Sequence, residues 1–124
     1  MINGSAVTIG GVDYELILTT RATKEIAKRY GGLEQLGDKL MKADNFEQSL
    51  DEVIWLITIL ANQSILIHNL KNQAKKELLT TDAVELLTTP SDLVDYKTAI
   101  TEAIMNGTKR TVESVETTKN TIAE

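Results

Sequence analysis

The side chains that most often perform acid–base or metal chemistry are scarce in this sequence. His68 is the only histidine, and there is no cysteine. A catalytic dyad needs a second group beside the imidazole, and no spacing marks one. The absence of cysteine excludes a disulfide framework, a zinc–thiolate site and a cysteine nucleophile. We therefore expect a structural role for His68, with no catalytic residue, no cofactor and no metal.

The carboxylates have a structural explanation. Five of them fall near the starts of predicted helices: Asp51, Glu52, Asp82, Glu85 and Asp92. Free amides and the positive end of the helix dipole stabilise acids there. A metal site needs ligands that converge at i, i+4 or across a loop, and none do so here. Gly31-Gly32 follows a predicted helix instead of preceding one, so it does not resemble a phosphate-binding loop. The sequence predicts a protein that is not an enzyme.

The stretch Ser49–Leu70 is the strongest candidate for work by contact. It reads SLDEVIWLITILANQSILIHNL and is apolar on more than one face. At 100° per residue, one broad arc comprises Leu50, Val53, Ile54, Leu56, Ile57, Leu60, Ala61, Ile65 and Ile67. A second stripe on the opposite side, named here the Trp55 stripe, comprises Trp55, Ile59, Leu66 and Leu70. A helix apolar nearly all round is buried, either by its own chain or by another.

Two interpretations of the Trp55 stripe stay open. In the first, the N-terminal hairpin or the C-terminal helix covers it. In the second, part of it binds a client or a second copy of the chain, for which tryptophan is a favoured anchor.

Membrane and nucleic acid are not expected partners. The Ser49–Leu70 segment has the length of a membrane span, but the polar residues Asn62, Gln63 and Ser64 lie near its middle. The net charge is -5, whereas nucleic-acid affinity comes largely from lysine and arginine. No basic region followed by an apolar core marks a signal peptide at the start. We expect a buried helix in a soluble protein.

The elements around this helix predict a mainly α domain with an N-terminal β-hairpin. Strands over Ala6–Ile9 and Tyr14–Leu18 flank a Gly10-Gly11 turn, because paired glycines supply the positive φ of tight hairpins. Thr19-Thr20 caps a helix that Gly31-Gly32 ends. The apolar face of this first helix comprises Ala22, Ile26 and Tyr30.

The middle of the chain predicts two further helices. A short one carries leucines at i, i+3 and i+7, namely Leu33, Leu36 and Leu40, and Phe46 fills the connection that follows. Ser49-x-x-Glu52 has the form of a capping box. It predicts that the long helix starts at Ser49 and continues to about Asn72.

The last third begins with a helix start at Thr80-Thr81-Asp82 and a short helical run over Ala83–Leu87. Thr89-Pro90 is another helix start, with proline at the first helical position. The apolar face of this last helix comprises Leu93, Tyr96, Ile100, Ala103 and Ile104. Asn106-Gly107 predicts its end, so we expect one domain over 1–107 and a polar, flexible tail over 108–124.

The run from Tyr14 to Gly32, YELILTTRATKEIAKRYGG, resembles the opening of tail assembly chaperones of long-tailed phages and prophages of Gram-positive bacteria. In that family a short strand leads into Leu-Thr-Thr-Arg-Ala, an amphipathic helix and Gly-Gly. A tryptophan in the long helix after the Leu-x-Glu-Val pattern, and the Leu86-Leu87-Thr-Thr-Pro90 join, are similar too. The likeness covers roughly residues 14–110.

The resemblance implies a non-enzymatic helical protein of the host bacterial cytoplasm that is absent from the mature virion. Such a chaperone binds the tape measure protein, and also tail tube subunits, and keeps them soluble during tail assembly. Members are also made in a longer form by ribosomal frameshifting. Thr118-Lys119-Asn120 can be encoded by ACA AAA AAC, which contains a slippery heptamer, so the tail would then link to a second domain.

Two other functions fit the same sequence. One is a small regulatory adaptor, such as an antitoxin-like protein or an anti-repressor that masks one partner. The other is a structural tail component, such as a tube or completion protein. An adjacent tape measure gene would favour the chaperone, whereas presence in purified virions would favour the structural component.

Overall fold

The computed structural model describes residues 5–33, 35–36 and 46–109. Two strands and four helices follow in chain order: β1 (Ala6–Ile9), β2 (Val12–Glu15), α1 (Thr20–Tyr30), α2 (Phe46–Asn72), α3 (Thr81–Leu87) and α4 (Pro90–Lys109). A short helical turn also holds Leu33 and Leu36. The predicted fold class, mainly α with an N-terminal hairpin, is confirmed.

The hairpin turns at the predicted glycines. Gly10 and Gly11 both have positive φ, 59° and 83°, and the antiparallel register pairs Ile9 with Val12 directly across the turn. A two-residue turn of this kind requires pairing to resume at once, so β2 starts at Val12 and the predicted strand Tyr14–Leu18 is wrong at both ends. After Glu15 one more hairpin hydrogen bond forms, from the Leu16 N–H to the Ser5 carbonyl at 2.9 Å, and the chain then leaves the hairpin.

The segment after β2 is held by the long helix instead. The backbone N–H of Ile17 donates to the carbonyl of Leu60 at 3.3 Å, and Leu16 and Leu18 are buried. Because Ile17 bonds to α2, Leu16 and Leu18 are buried without belonging to a strand.

Both ends of α1 agree with the sequence. The Thr19 hydroxyl accepts the Ala22 N–H at 3.0 Å, and Gly31 closes the helix with a left-handed φ of 89°. Ile26 is wholly buried, with Ala22 and Tyr30 on the same face. The predicted Leu36 is buried, whereas Leu40 and the side chain of Phe46 lie outside the described residues.

The long helix α2 ends at Asn72 as predicted but begins at Phe46. The capping box at Ser49 is therefore wrong, since Ser49 already lies inside the helix. In place of the predicted bond to the backbone of Ser49, the Glu52 carboxylate accepts hydrogen bonds from Arg29 and Tyr30 of α1.

After α2 the chain turns at Gln73, a non-glycine residue with φ of 50°, and runs back along the helix. Asn69 exchanges two hydrogen bonds with the backbone of Lys76, both 3.1 Å. Asn62 does the same with Leu79, at 2.9 and 2.7 Å. Seven helical residues rise about 10.5 Å and three extended residues about 10 Å, so the two asparagines match the spacing of the returning chain.

The last two helices begin where the sequence places them. Thr80 caps α3 by accepting the Ala83 N–H at 3.0 Å. Thr89 caps α4, and the Asp92 carboxylate reaches back to the Thr89 N–H at 2.9 Å. This reciprocal pair satisfies two free amides at once. The predicted apolar face of α4 packs on α2 and β1, with Leu93, Tyr96, Ile100 and Ala103 buried.

The predicted end of α4 at Asn106-Gly107 is wrong, because the helix continues through Lys109. Gly107 serves close packing. A Cβ built on it would lie 2.6 Å from the Cβ of Leu18, a separation that side chains do not tolerate. Glycine here lets the end of α4 approach the chain between β2 and α1.

Gly107→Ala is expected to lower the free energy of unfolding by about 1 kcal/mol. The gain in helix propensity, about 1 kcal/mol, is outweighed by an overpacking cost of about 2 kcal/mol. Urea denaturation measures the difference. Thr98→Ala, at an exposed position of the same helix, is the control and should be neutral or stabilising. A similar gain in both variants would contradict a close contact at Gly107.

Candidate interaction surface

The Trp55 stripe does not form one continuous surface. Trp55 and Ile59 are partly buried and pack against the core, and Leu66 is half-buried. Leu70 is 82% exposed. The stripe therefore has one end in the fold and one end in solvent.

The covered end packs under α1. The Arg29 guanidinium lies 4.5 Å from the centroid of the Trp55 ring, within the range of a cation–π interaction. The Tyr30 ring meets Trp55 edge-on, with centroids 6.1 Å apart and planes at 74°. Neither predicted cover, the hairpin or the C-terminal helix, supplies these contacts.

Glu52 fixes the two residues that cover Trp55. Arg29 Nε lies 3.3 Å from Glu52 Oε1, and the Tyr30 hydroxyl donates to the same oxygen. Burial, reinforced by this hydrogen bond, raises the pKa of Tyr30 well above its ordinary value. The tyrosine therefore stays neutral and able to donate over the physiological range.

The open end of the stripe lies near the C-terminus of α2. Leu66 and Leu70 are one helical turn apart, so they face the same side. His68 is exposed, and its Nδ1 lies 3.2 Å from Asn72 Nδ2. Ile65 and Ile67 of the predicted arc are only half-buried. The last two turns of α2 are thus much less covered than the middle.

The polar residues in the middle of α2 hold neighbouring segments. Gln63 is 4% exposed and accepts the Thr19 hydroxyl at 2.6 Å, while its Nε2 donates to the Ile59 carbonyl at 3.0 Å. Ser64 donates to the Ala61 carbonyl at 2.9 Å. By length and composition alone, Glu47–Asn72 is a helix that could cross a membrane. Its satisfied polar contacts within the fold favour the core-helix interpretation.

A groove near the other end of α2 was missed by sequence reasoning. It encloses about 180 Å³ between α2 and the junction of α3 with α4. Its lining comprises Glu47, Leu50, Asp51, Ile54, Glu85, Thr88, Thr89, Pro90 and Leu93. One wall of the groove is visible in the sequence, where an acid twice stands three residues before an aliphatic side chain: Glu47 before Leu50 and Asp51 before Ile54. The opposite wall is brought there only by the tertiary fold.

The surface of α1 is mainly basic, opposite in charge to the acidic side chains that line the groove. A shallow hollow there is lined by Thr20, Arg21, Lys24, Glu25 and Lys28. Lys28 and Glu25 form an exposed pair at 3.9 Å, which contributes little to stability. No large apolar side chain lies among these hollow-lining residues, so this face offers charge alone.

Comparison with protein-family models, curated proteins and solved structures finds no match to this chain. Within residues 5–33, 35–36 and 46–109, no three histidine, cysteine or acidic side chains are grouped to hold a metal ion. The contacts and exposed surfaces of the structure are therefore the basis for a function.

Tyr30→Phe is expected to lower the free energy of unfolding by about 2 kcal/mol, because it removes a hydrogen bond to a poorly exposed carboxylate. Since folding raises the Tyr30 pKa, this contribution is complete below about pH 10 and fades as pH rises further. The gap between wild type and variant should therefore narrow above pH 10. Denaturant titration at several pH values measures it.

Tyr14→Phe is the control for Tyr30→Phe, since Tyr14 is a tyrosine that also packs on the core, with a larger exposed fraction than Tyr30. Equal losses in the two variants would show that the Glu52 hydrogen bond adds nothing specific.

Proposed function

We propose that this protein is a tail assembly chaperone, which binds the tape measure protein and tail tube subunits in the host cytoplasm and keeps them soluble before tail polymerisation. One structural observation carries the proposal. The middle of the long helix is buried in the protein's own core, whereas near its end Leu70 is 82% exposed beside the partly buried Leu66.

The open end suits a helical client. Leu66 and Leu70 form an i, i+4 pair, the pattern by which helices pair their apolar faces. An apolar contact of two residues is small, so binding there is reversible. A chaperone must release its client when the tail tube forms, and a small apolar contact meets that need.

The other half of the Trp55 stripe is assigned to the fold. Trp55 is shielded by Arg29 and Tyr30, and Ile59 packs on the core. Polar replacement of these two residues would damage the domain before it affected a client. We therefore infer that the client contact within the stripe uses Leu66 and Leu70.

Co-expression with the neighbouring tape measure protein tests the function. We expect wild type to raise the soluble fraction of the tape measure protein severalfold, and Leu70→Ser to lose most of that effect. Because Leu70 is exposed, the variant should keep the wild-type melting temperature.

Leu86→Ser is the matched control, since Leu86 is 83% exposed but lies on α3. It should retain the solubilising effect. An unchanged soluble fraction with wild type would refute the chaperone function, and recovery of the protein in purified virions would indicate a structural tail component.

A further inference from the structure

We propose that the groove between α2 and the α3–α4 junction docks a basic amphipathic helix bearing leucine-like anchors. We name it the acidic groove, with the lining given above. The proposal deepens the proposed function, on which it rests only for the identity of the partner. The acidic groove is then a second contact surface, distinct from the Leu70 end, and it selects a partner helix by basic charge and aliphatic anchors.

The floor of the acidic groove is apolar. Ile54 and Leu93 are buried beneath it, and Leu50 and Pro90 complete the apolar lining. A volume of about 180 Å³ exceeds the roughly 150 Å³ of a cavity that accommodates benzene. One leucine or methionine side chain therefore fits, and it would remove this apolar surface from water.

The rim of the acidic groove is negative on both sides. Glu47 and Asp51 stand one turn apart on α2, and Glu85 faces them from α3. Within the described residues, the ion pairs are Lys28–Glu25 and Arg29–Glu52, so the rim carboxylates have no cationic partner there. Three like charges around an apolar floor are complementary to lysine or arginine flanking an aliphatic anchor.

A helix is the backbone form that the acidic groove favours. Both walls are helical, and an extended peptide would lay unpaired amides on an apolar floor, which is costly. A helix satisfies its own backbone and presents side chains at i and i+4, about 6 Å apart. That spacing equals the separation of Leu50 and Ile54 along α2, so one anchor can occupy the groove while the next lies along α2.

The basic face of α1 in a second copy does not meet these requirements, because the hollow there is lined by polar and charged residues only. The segment after α2 comes closer, since Leu70 and Leu78 are exposed beside Lys71, Lys75 and Lys76. A second copy seated through that segment is the competing occupant, and the experiment separates it from a client helix.

Fluorescence anisotropy on the full chain tests the proposal. The probe is a labelled helical peptide with leucine at i and i+4 and lysine at the flanking positions. A matched peptide carries glutamate in place of lysine, and another carries serine in place of leucine. At low salt we expect binding of the lysine–leucine peptide, with at least tenfold weaker binding of each matched peptide.

The triple variant Glu47→Gln, Asp51→Asn, Glu85→Gln should weaken the lysine–leucine peptide about tenfold, since each exposed pair contributes up to about a factor of five. The control triple Glu77→Gln, Asp95→Asn, Glu102→Gln removes equal charge at exposed positions outside the acidic groove. It should change affinity by less than threefold. Melting curves confirm that both variants fold.

Equal affinity for the lysine and glutamate peptides, or equal effects of the two triple variants, would overturn the proposal. Sedimentation of the chain without peptide gives the third outcome. If the groove triple converts a concentration-dependent oligomer to monomer, while the control does not, a second copy is the occupant and the client-helix proposal fails. These measurements use no tape measure protein, so the outcome of the co-expression experiment is independent of them.

Discussion

The Thr19–Gln63 hydrogen bond is the contact on which the arrangement of the chain around α2 depends. The Thr19 hydroxyl caps α1 by accepting the Ala22 N–H and at the same time donates to Gln63. Gln63 is nearly fully buried. Breaking its hydrogen bond with Thr19 would therefore leave a buried polar group unsatisfied, at a cost of about 1–3 kcal/mol. The start of α1 and the middle of α2 are thereby fixed to one another. The adjacent bond from Ile17 to Leu60 holds the preceding residues on the same helix.

A second set of contacts determines which part of α2 stays open. The chain that returns after Gln73 is attached at Asn62 and Asn69, which lie on nearly the same side because seven residues turn almost two full turns. Leu70 is rotated about 100° from Asn69. The returning chain therefore covers one side of the last turns and leaves the flank with Leu70 exposed. The open end follows from the spacing of two asparagines.

The local signals in the sequence predicted most of the elements, and the errors arise where a residue serves a distant contact. Thr19, Thr80 and Thr89 cap their helices as predicted, because a cap requires only neighbouring residues. Ser49 and Glu52 have the spacing of a capping box, but the helix had already begun and Glu52 binds α1. Gly107 has the form of a helix stop, whereas it admits Leu18. The acidic groove was not predictable, since its second wall comes from α3 and α4. The contacts that Arg29 and Tyr30 make with Trp55 were not foreseen for the same reason, because they depend on how α1 packs on α2.

Trp55 lies in the part of α2 that stabilises the domain, and the surfaces open to partners lie near the two ends of the helix. Tryptophan is the side chain most expected to anchor a partner, yet here its ring is engaged by Arg29, which Glu52 holds in place. Exposing it to a client would require breaking an ion pair and a cation–π contact together. The leucines near the two ends of α2 are not held by contacts of this kind. Leu70 lies in solvent, and Leu50 lines an open groove. A helix whose middle stabilises the domain can therefore present its ends to partners without unfolding.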